Sequence, residues 1–135
     1  MDIRELLNYS TIHMPLIEWK RINDELNAAY PSFGISDNPF GINVKNSARH
    51  FTGGAMGTKY YGEDKTRKLG QRKENWDKLI HKDWSDLEND TSLDFKNNER
   101  GIKFFKKYPD SSRQDIIKQA IQQAINNYNL DYPMK

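Results

Sequence analysis

The chain has 135 residues, enough for one domain, and contains no Cys, which excludes disulfides, thiolate nucleophiles and cysteine metal sites. Its 21 Lys+Arg and 19 Asp+Glu leave a formal net charge of +2, which excludes a strongly basic nucleic-acid tail and an acidic mimic of one. Hydrophobic residues at 36% and a mean hydropathy of -0.97 would suit a disordered chain, but aromatics reach 12% and each buried ring supplies a large apolar area, so a small core is affordable.

The first residues, 1–15, read as a short helix or irregular lead-in. Asp2 and Glu5 stand at the very start and no apolar run follows, so no signal peptide is expected. No window approaches 18 uncharged apolar residues, so no membrane-spanning helix is expected either. After Pro15, Leu16, Trp19, Ile22, Leu26 and Tyr30 recur at steps of three and four and predict an amphipathic helix. Pro31 and Gly34 end it, and residues 31–43 predict a long Pro/Gly loop that packs down through Phe33, Ile35, Phe40 and Ile42. A second helix is expected over 44–61 and a third over 64–82, with Leu69, Trp76, Leu79 and Ile80 as its apolar stripe. The acidic stretch 84–90 reads as a loop and 91–108 as a fourth helix. Pro109 and Asp110 break the chain, and Ser112 with Asp115 forms a capping-box pattern. A fifth helix follows with Ile116, Ile117, Ala120, Ile121, Ala124, Ile125 and Tyr128 on one face. The predicted class is all-α, a single compact domain of four to five helices with its motif-bearing part at 44–108.

Two helices carry polar residues where core residues belong. On the fourth, Asn98, Gly101 and Phe105 fall within about 40° of Asp94, so Asp94, Asn97 and Asn98 continue a stripe that turns apolar at Phe105 and Tyr108. The opposite face, with Lys96, Glu99, Arg100, Lys103 and Lys107, reads as solvated. On the second, Gly54, Gly57 and Tyr61 fall within about 40° of His50, and Asn46 and Gly53 within about 60°. Each helical glycine costs about 1 kcal/mol relative to Ala, so something must compensate: close approach of another backbone, or of a ligand, beside the imidazole. Gly53-Gly54 could instead end the helix.

If these two faces meet, Asp94 orients the His50 imidazole and Asn98 holds or polarises a substrate group, as general acid–base catalysis requires. Arg49 lies about 100° from His50 and can reach a carboxylate on a neighbouring helix. Glu74 sits about 120° from the apolar stripe of its helix and faces the site only if that helix bends at Gly70. The structural alternative is a satisfied polar layer, or an N-terminal cap at Asp94, that fixes packing.

No cofactor or metal site is expected. Gly53 to Lys59 has the wrong spacing for a phosphate loop, and His13, His50 and His81 form no H-E-x-x-H pair. Glu74, Asp77 and His81 share one helical face but read as a solvated ion-pair face. Lys65, Arg67, Lys68, Arg72 and Lys73 beside Tyr60 and Tyr61 could touch nucleic acid or an anionic polymer, but interleaved acids argue against it.

The order Asn46-Ser47-Ala48-Arg49-His50, Tyr61-Gly62, Leu69-Gly70, Glu74 and Asp94-x-x-Asn97-Asn98-x-x-Gly101 resembles small helical domains of phage proteins and bacterial toxin-like proteins, over residues 43–108. The resemblance implies a polar His/Glu/Asp/Asn centre in a phage or polymorphic-toxin setting, and it raises Glu74 to a site candidate. It brings no reaction with it. Two functions follow as expectations. One is a hydrolase-like domain acting on a cell-envelope polymer, with His50 as acid/base, Asp94 as orienter, and Asn98, Glu74 and Arg49 assisting. The other is a non-catalytic virion or partner-binding module, cytoplasmic or virion-associated, that binds virion components or a second copy of itself.

Overall fold

The computed structural model describes residues 20–30, 39–80 and 87–133; for 72–80 and 87–91 it describes the backbone alone. The lead-in 1–15, the start of the first predicted helix, and most of the predicted Pro/Gly loop lie outside the described residues. The described chain is all-α, with no strand among its residues. We number the helices α1 (20–29), α2 (Pro39–Tyr61), α3 (Glu63–Ile80), α4 (Leu87–Lys107), α5 (Arg113–Asn126) and α6 (Tyr128–Asp131).

Helix α2 is the centre of the bundle because it is buried on more than one side. Val44, Ala48, Phe51 and Ala55 form its core stripe at helical spacing, and Ser47, His50, Thr52 and Met56 are buried around it. Ile22 and Leu26 of α1 join this core, as do Ile116, Ile117, Ala120 and Ala124 of α5. Phe51 meets Phe104 of α4 at 5.6 Å between ring centroids. The hydroxyl of buried Thr52 is satisfied within α2 by donating to the Ala48 carbonyl at 2.8 Å.

Two expected boundaries change, and one helix is added. Helix α2 starts at Pro39 rather than at 44, which shortens the expected loop; proline suits a first helical turn because its missing N–H has no helical partner there. Helix α4 starts at Leu87, inside the stretch expected to be an acidic loop; acids near a helix N-terminus are favoured by its dipole. A short sixth helix, α6, follows α5 and was not expected. Helix α2 also runs unbroken through Gly53-Gly54.

The α2–α3 connection is the single residue Gly62. Its φ of +84° is left-handed, and its N–H donates to the Thr58 carbonyl at 3.1 Å, an αL helix end that glycine adopts without a Cβ penalty. Helix α5 opens with the expected capping box: the Asp115 N–H donates to the Ser112 hydroxyl, and the Ser112 N–H donates to the Asp115 carboxylate. Arg67 and Lys106 strap α3 to α4. Arg67 donates to Glu63 at 2.6 Å and to Glu99 at 2.6 and 3.0 Å, and Lys106 reaches Glu63 at 2.9 Å. The Lys106 bond, then the Arg67 bond, hold the Glu63 carboxyl below the usual range. Solvent screens these exposed pairs, so they orient the helices more than they stabilise them.

Candidate functional site

The stripe of small residues on α2 and α4 brings the two backbones together. A Cβ on Gly54 would stand 2.2 Å from the Asn98 carbonyl oxygen, and one on Gly101 only 1.9 Å from the Phe51 carbonyl oxygen. The glycines thus admit another backbone, as one of the two sequence expectations had it. Gly57 serves α3 instead, where a Cβ would meet the Thr66 side chain at 2.8 Å.

This close crossing sets His50 of α2 against Asp94 and Asn98 of α4. His50 Nε2 lies 3.2 Å from Asp94 Oδ1, so the expected orienting pair forms. The His50 side chain is 4% exposed. Asn98 is one helical turn beyond Asp94 on the same face and meets the other ring nitrogen. With its amide nitrogen toward the ring, Asn98 donates to His50 Nδ1 at 3.1 Å, to the His50 carbonyl at 3.1 Å and to the Asp94 carbonyl at 3.3 Å. The opposite orientation would set its oxygen against two carbonyls, so the hydrogen-bond network selects the first. In this arrangement Nδ1 accepts, the ring proton sits on Nε2, and Nε2–H donates to the carboxylate.

The pair is embedded in a wider polar layer. Asn46 Nδ2 donates to Asp94 Oδ1 at 3.2 Å, and its own oxygen accepts from Arg49 Nη2 at 3.1 Å. Burial lowers the Arg49 pKa, and the Asp94 charge opposes that shift. Arg49 therefore lies within the electrostatic reach of Asp94 and joins the layer through Asn46. Asn97, buried, turns away from His50: it donates to the Leu93 carbonyl at 3.2 Å and accepts from Arg100 at 3.0 Å.

Two expectations are corrected. Asp94 is not a helix cap, because α4 begins at Leu87, about two turns earlier. Arg100 does not belong to a solvated face. Its side chain is 19% exposed and grips Asp131 of α6 through two bonds, at 2.6 and 3.1 Å. Helix α3 runs unbroken through Gly70, where a Cβ would lie 3.2 Å from the Asn98 amide, so Gly70 borders the centre. The Glu74 side chain lies outside the described residues, as do the side chains of Asp77, Arg72 and Lys73 and the whole of His81.

Sequence reasoning missed Ser47, Tyr132, Arg100 and Asp131. Ser47 Oγ lies 3.4 Å from Tyr132 Oη. Burial raises the Tyr132 pKa; its bonds to Ser47 and Asn46 oppose this, and the Asp94 and Asp131 charges add to it. Tyr132 is more than 80 residues from its partners, and no local period announces such a contact. The difference titration at 295 nm between the wild type and Tyr132→Phe is expected to show one tyrosine ionising above the ordinary pKa of about 10. The sign follows from linkage. The folded state resists ionisation that the unfolded state allows, so this stabilising contribution is present below pH 10 and is lost as pH rises beyond it.

Two members of the basic run beside Tyr60 and Tyr61, Lys65 and Arg67, are engaged within the chain. Arg67 is taken by Glu63 and Glu99, and the Lys59 and Lys65 ammonium groups lie over the Tyr60 and Tyr61 rings at 5.9 and 5.3 Å. A shallow depression lined by Tyr61, Gly62, Glu63, Asp64, Lys65, Lys68 and Leu69 sits beside it, about three helical turns along α2 from His50. Among the described residues, no helix is long and apolar enough to cross a membrane.

Comparison with protein-family models, with curated proteins and with solved structures finds no match.

Proposed function

We propose that this chain is a small helical hydrolase-like domain in which the His50–Asp94 pair is the acid–base centre. The carrying observation is the 3.2 Å contact between His50 Nε2 and Asp94 Oδ1, held in a buried layer where the carboxylate keeps its strength. Nδ1 is then the basic nitrogen. It takes a proton from a water or substrate hydroxyl, while Asp94 stabilises the imidazolium that forms through Nε2–H. Asn98 must release Nδ1 for this. The His50 and Asp94 carbonyls, already within reach of its amide, lower the cost of that release. Arg49 balances the Asp94 charge, and Glu74 is the remaining acid in the proposal. A cell-envelope polymer is the proposed substrate class.

The test uses His50→Gln and Asp94→Asn, which keep size and hydrogen-bonding capacity. Product release from peptidoglycan and from phospholipid vesicles is followed alongside far-UV circular dichroism and thermal melting. The expected result is a loss of at least about 100-fold in turnover with the fold retained. A wild type inactive on both substrates, or variants as active as wild type, would sink the proposal.

A second reading rests on the same burial. At 3% exposure and with both ring nitrogens directed at α4, His50 also suits a layer that fixes the α2–α4 register in a partner-binding module. Exposed Ile42 and Leu130 would then contribute to interfaces with virion components or a second copy. Inactivity of the wild type together with strong destabilisation of both variants favours this reading.

A further inference from the structure

The segment after α5 reaches the Asp94 side of the polar centre through Tyr132, which bonds to Asn46 and feels the Asp94 charge. Helix α6 is four residues long and has no buried residue, so it contributes little to the core. Its apolar anchor is the Tyr128 ring, which meets Phe40 edge-on at 4.6 Å and stacks on Tyr132 at 5.4 Å. The rest of its attachment is polar. Asp131, with its side chain 1% exposed, takes two bonds from Arg100 and lies 3.4 Å from Lys96 Nζ, both on α4. Tyr132 reaches Ser47 of α2, and Ser47 neighbours the Asn46 that donates to Asp94. Segment 128–132 therefore ties α2 to α4 across the edge of the His50–Asp94 pair through hydrogen bonds and an ion pair. When the segment lifts, both partners of each contact regain water, whereas parting α2, α4 and α5 would expose apolar packing.

We propose that α6 with Tyr132 is a lid over the Asp94 end of the His50–Asp94 pair, hinged at Asn127, that opens while the rest of the bundle stays folded. The hinge is placed by the chain itself. Asn127 ends α5, where its N–H donates to the Gln123 carbonyl at 2.9 Å, and the same residue begins α6. Opening breaks the Arg100–Asp131 and Ser47–Tyr132 contacts, frees Asn46 from Tyr132, and admits water to the carboxylate and to the Nε2 edge of the ring. The lid rests on the acid–base reading for its purpose: water at the carboxylate weakens the bond to Nε2–H, and with it the support that Asp94 gives to a protonated His50.

The test needs no substrate, so its failure is separable from failure of the acid–base reading. Amide hydrogen exchange and the rate of His50 modification by diethylpyrocarbonate, read by peptide mass spectrometry, are compared in the full-length wild type, Asp131→Asn and Tyr132→Phe. Tyr132→Phe keeps the ring packing and serves if the charge change disturbs folding. The expected result is exchange at 128–132 at least tenfold faster and His50 modification at least fivefold faster, with protection in α2 and α4 unchanged. Three results would overturn the lid: faster exchange at 128–132 with His50 reactivity unchanged, loss of protection in α2 and α4 together with α6, or no change in either observable.

Discussion

Gly101→Ala is expected to cost the domain more than about 3 kcal/mol, enough to remove much of the 5–15 kcal/mol typical of a folded domain. The added Cβ would stand 1.9 Å from the Phe51 carbonyl oxygen, 2.8 Å from its carbon and 2.9 Å from the Ala55 nitrogen. All three are backbone atoms of a central helix, so no side chain can swing aside. Gly54→Ala meets the Asn98 carbonyl at 2.2 Å and is expected to behave alike. Gly70→Ala is the control. Its Cβ would meet only the end of the Asn98 side-chain amide at 3.2 Å, and Ala gains about 1 kcal/mol of helix propensity over Gly, so its net effect is expected within about 1 kcal/mol of zero. Urea unfolding midpoints of the three variants check the order. A Gly101→Ala protein as stable as wild type would mean that the α2–α4 backbones do not approach this closely.

Asp94→Ala is expected to cost about 3–5 kcal/mol, because removing one member of a buried pair strands the other. It strips the Nε2–H of His50 and the Asn46 amide of their shared acceptor. It also removes the negative charge that opposes the effect of burial on Arg49. Replacing both members, as in His50→Leu with Asp94→Leu, is expected to cost less than the sum of the single changes, since the Nε2–H donor is then removed together with its acceptor. A double-mutant cycle by urea unfolding measures that coupling. A coupling under about 0.5 kcal/mol would show that the pair contributes little to folding. The milder Asp94→Asn keeps an acceptor oxygen, which makes it the better variant for separating chemistry from stability.

Much of the site was legible in the chain before folding. The angular positions of His50 on one helix and of Asp94 and Asn98 on another depend only on a repeat of 3.6 residues per turn, so each face could be read locally. The costly Gly54 signalled close approach, and the structure shows that backbone is what approaches, there and at Gly101, which carried no such reading. The all-α class and the Ser112–Asp115 capping box were legible for the same reason, since both are set within a few residues. Where local signals were weak, boundaries moved. Acidic composition at 84–90 read as loop, but acids also suit the first turn of a helix, and α4 begins at Leu87.

Other placements depended on contacts between residues far apart in sequence. Arg100 carries the same local pattern as its solvated neighbours Glu99 and Lys103, yet α6 brings Asp131 to it across 31 positions. Tyr132 reaches Ser47 across 85. Nothing in either residue's neighbourhood encodes these partners, because they arise from where α5 turns the chain at Asn127. Sequence alone thus determined that α1 to α5 form and that α2 and α4 each carry a polar stretch on an inward face, since those follow from local periodicity and capping. Only the tertiary structure decided that the α2 and α4 faces meet and that both nitrogens of His50 are engaged by α4, since those depend on how closely the glycines let two backbones cross.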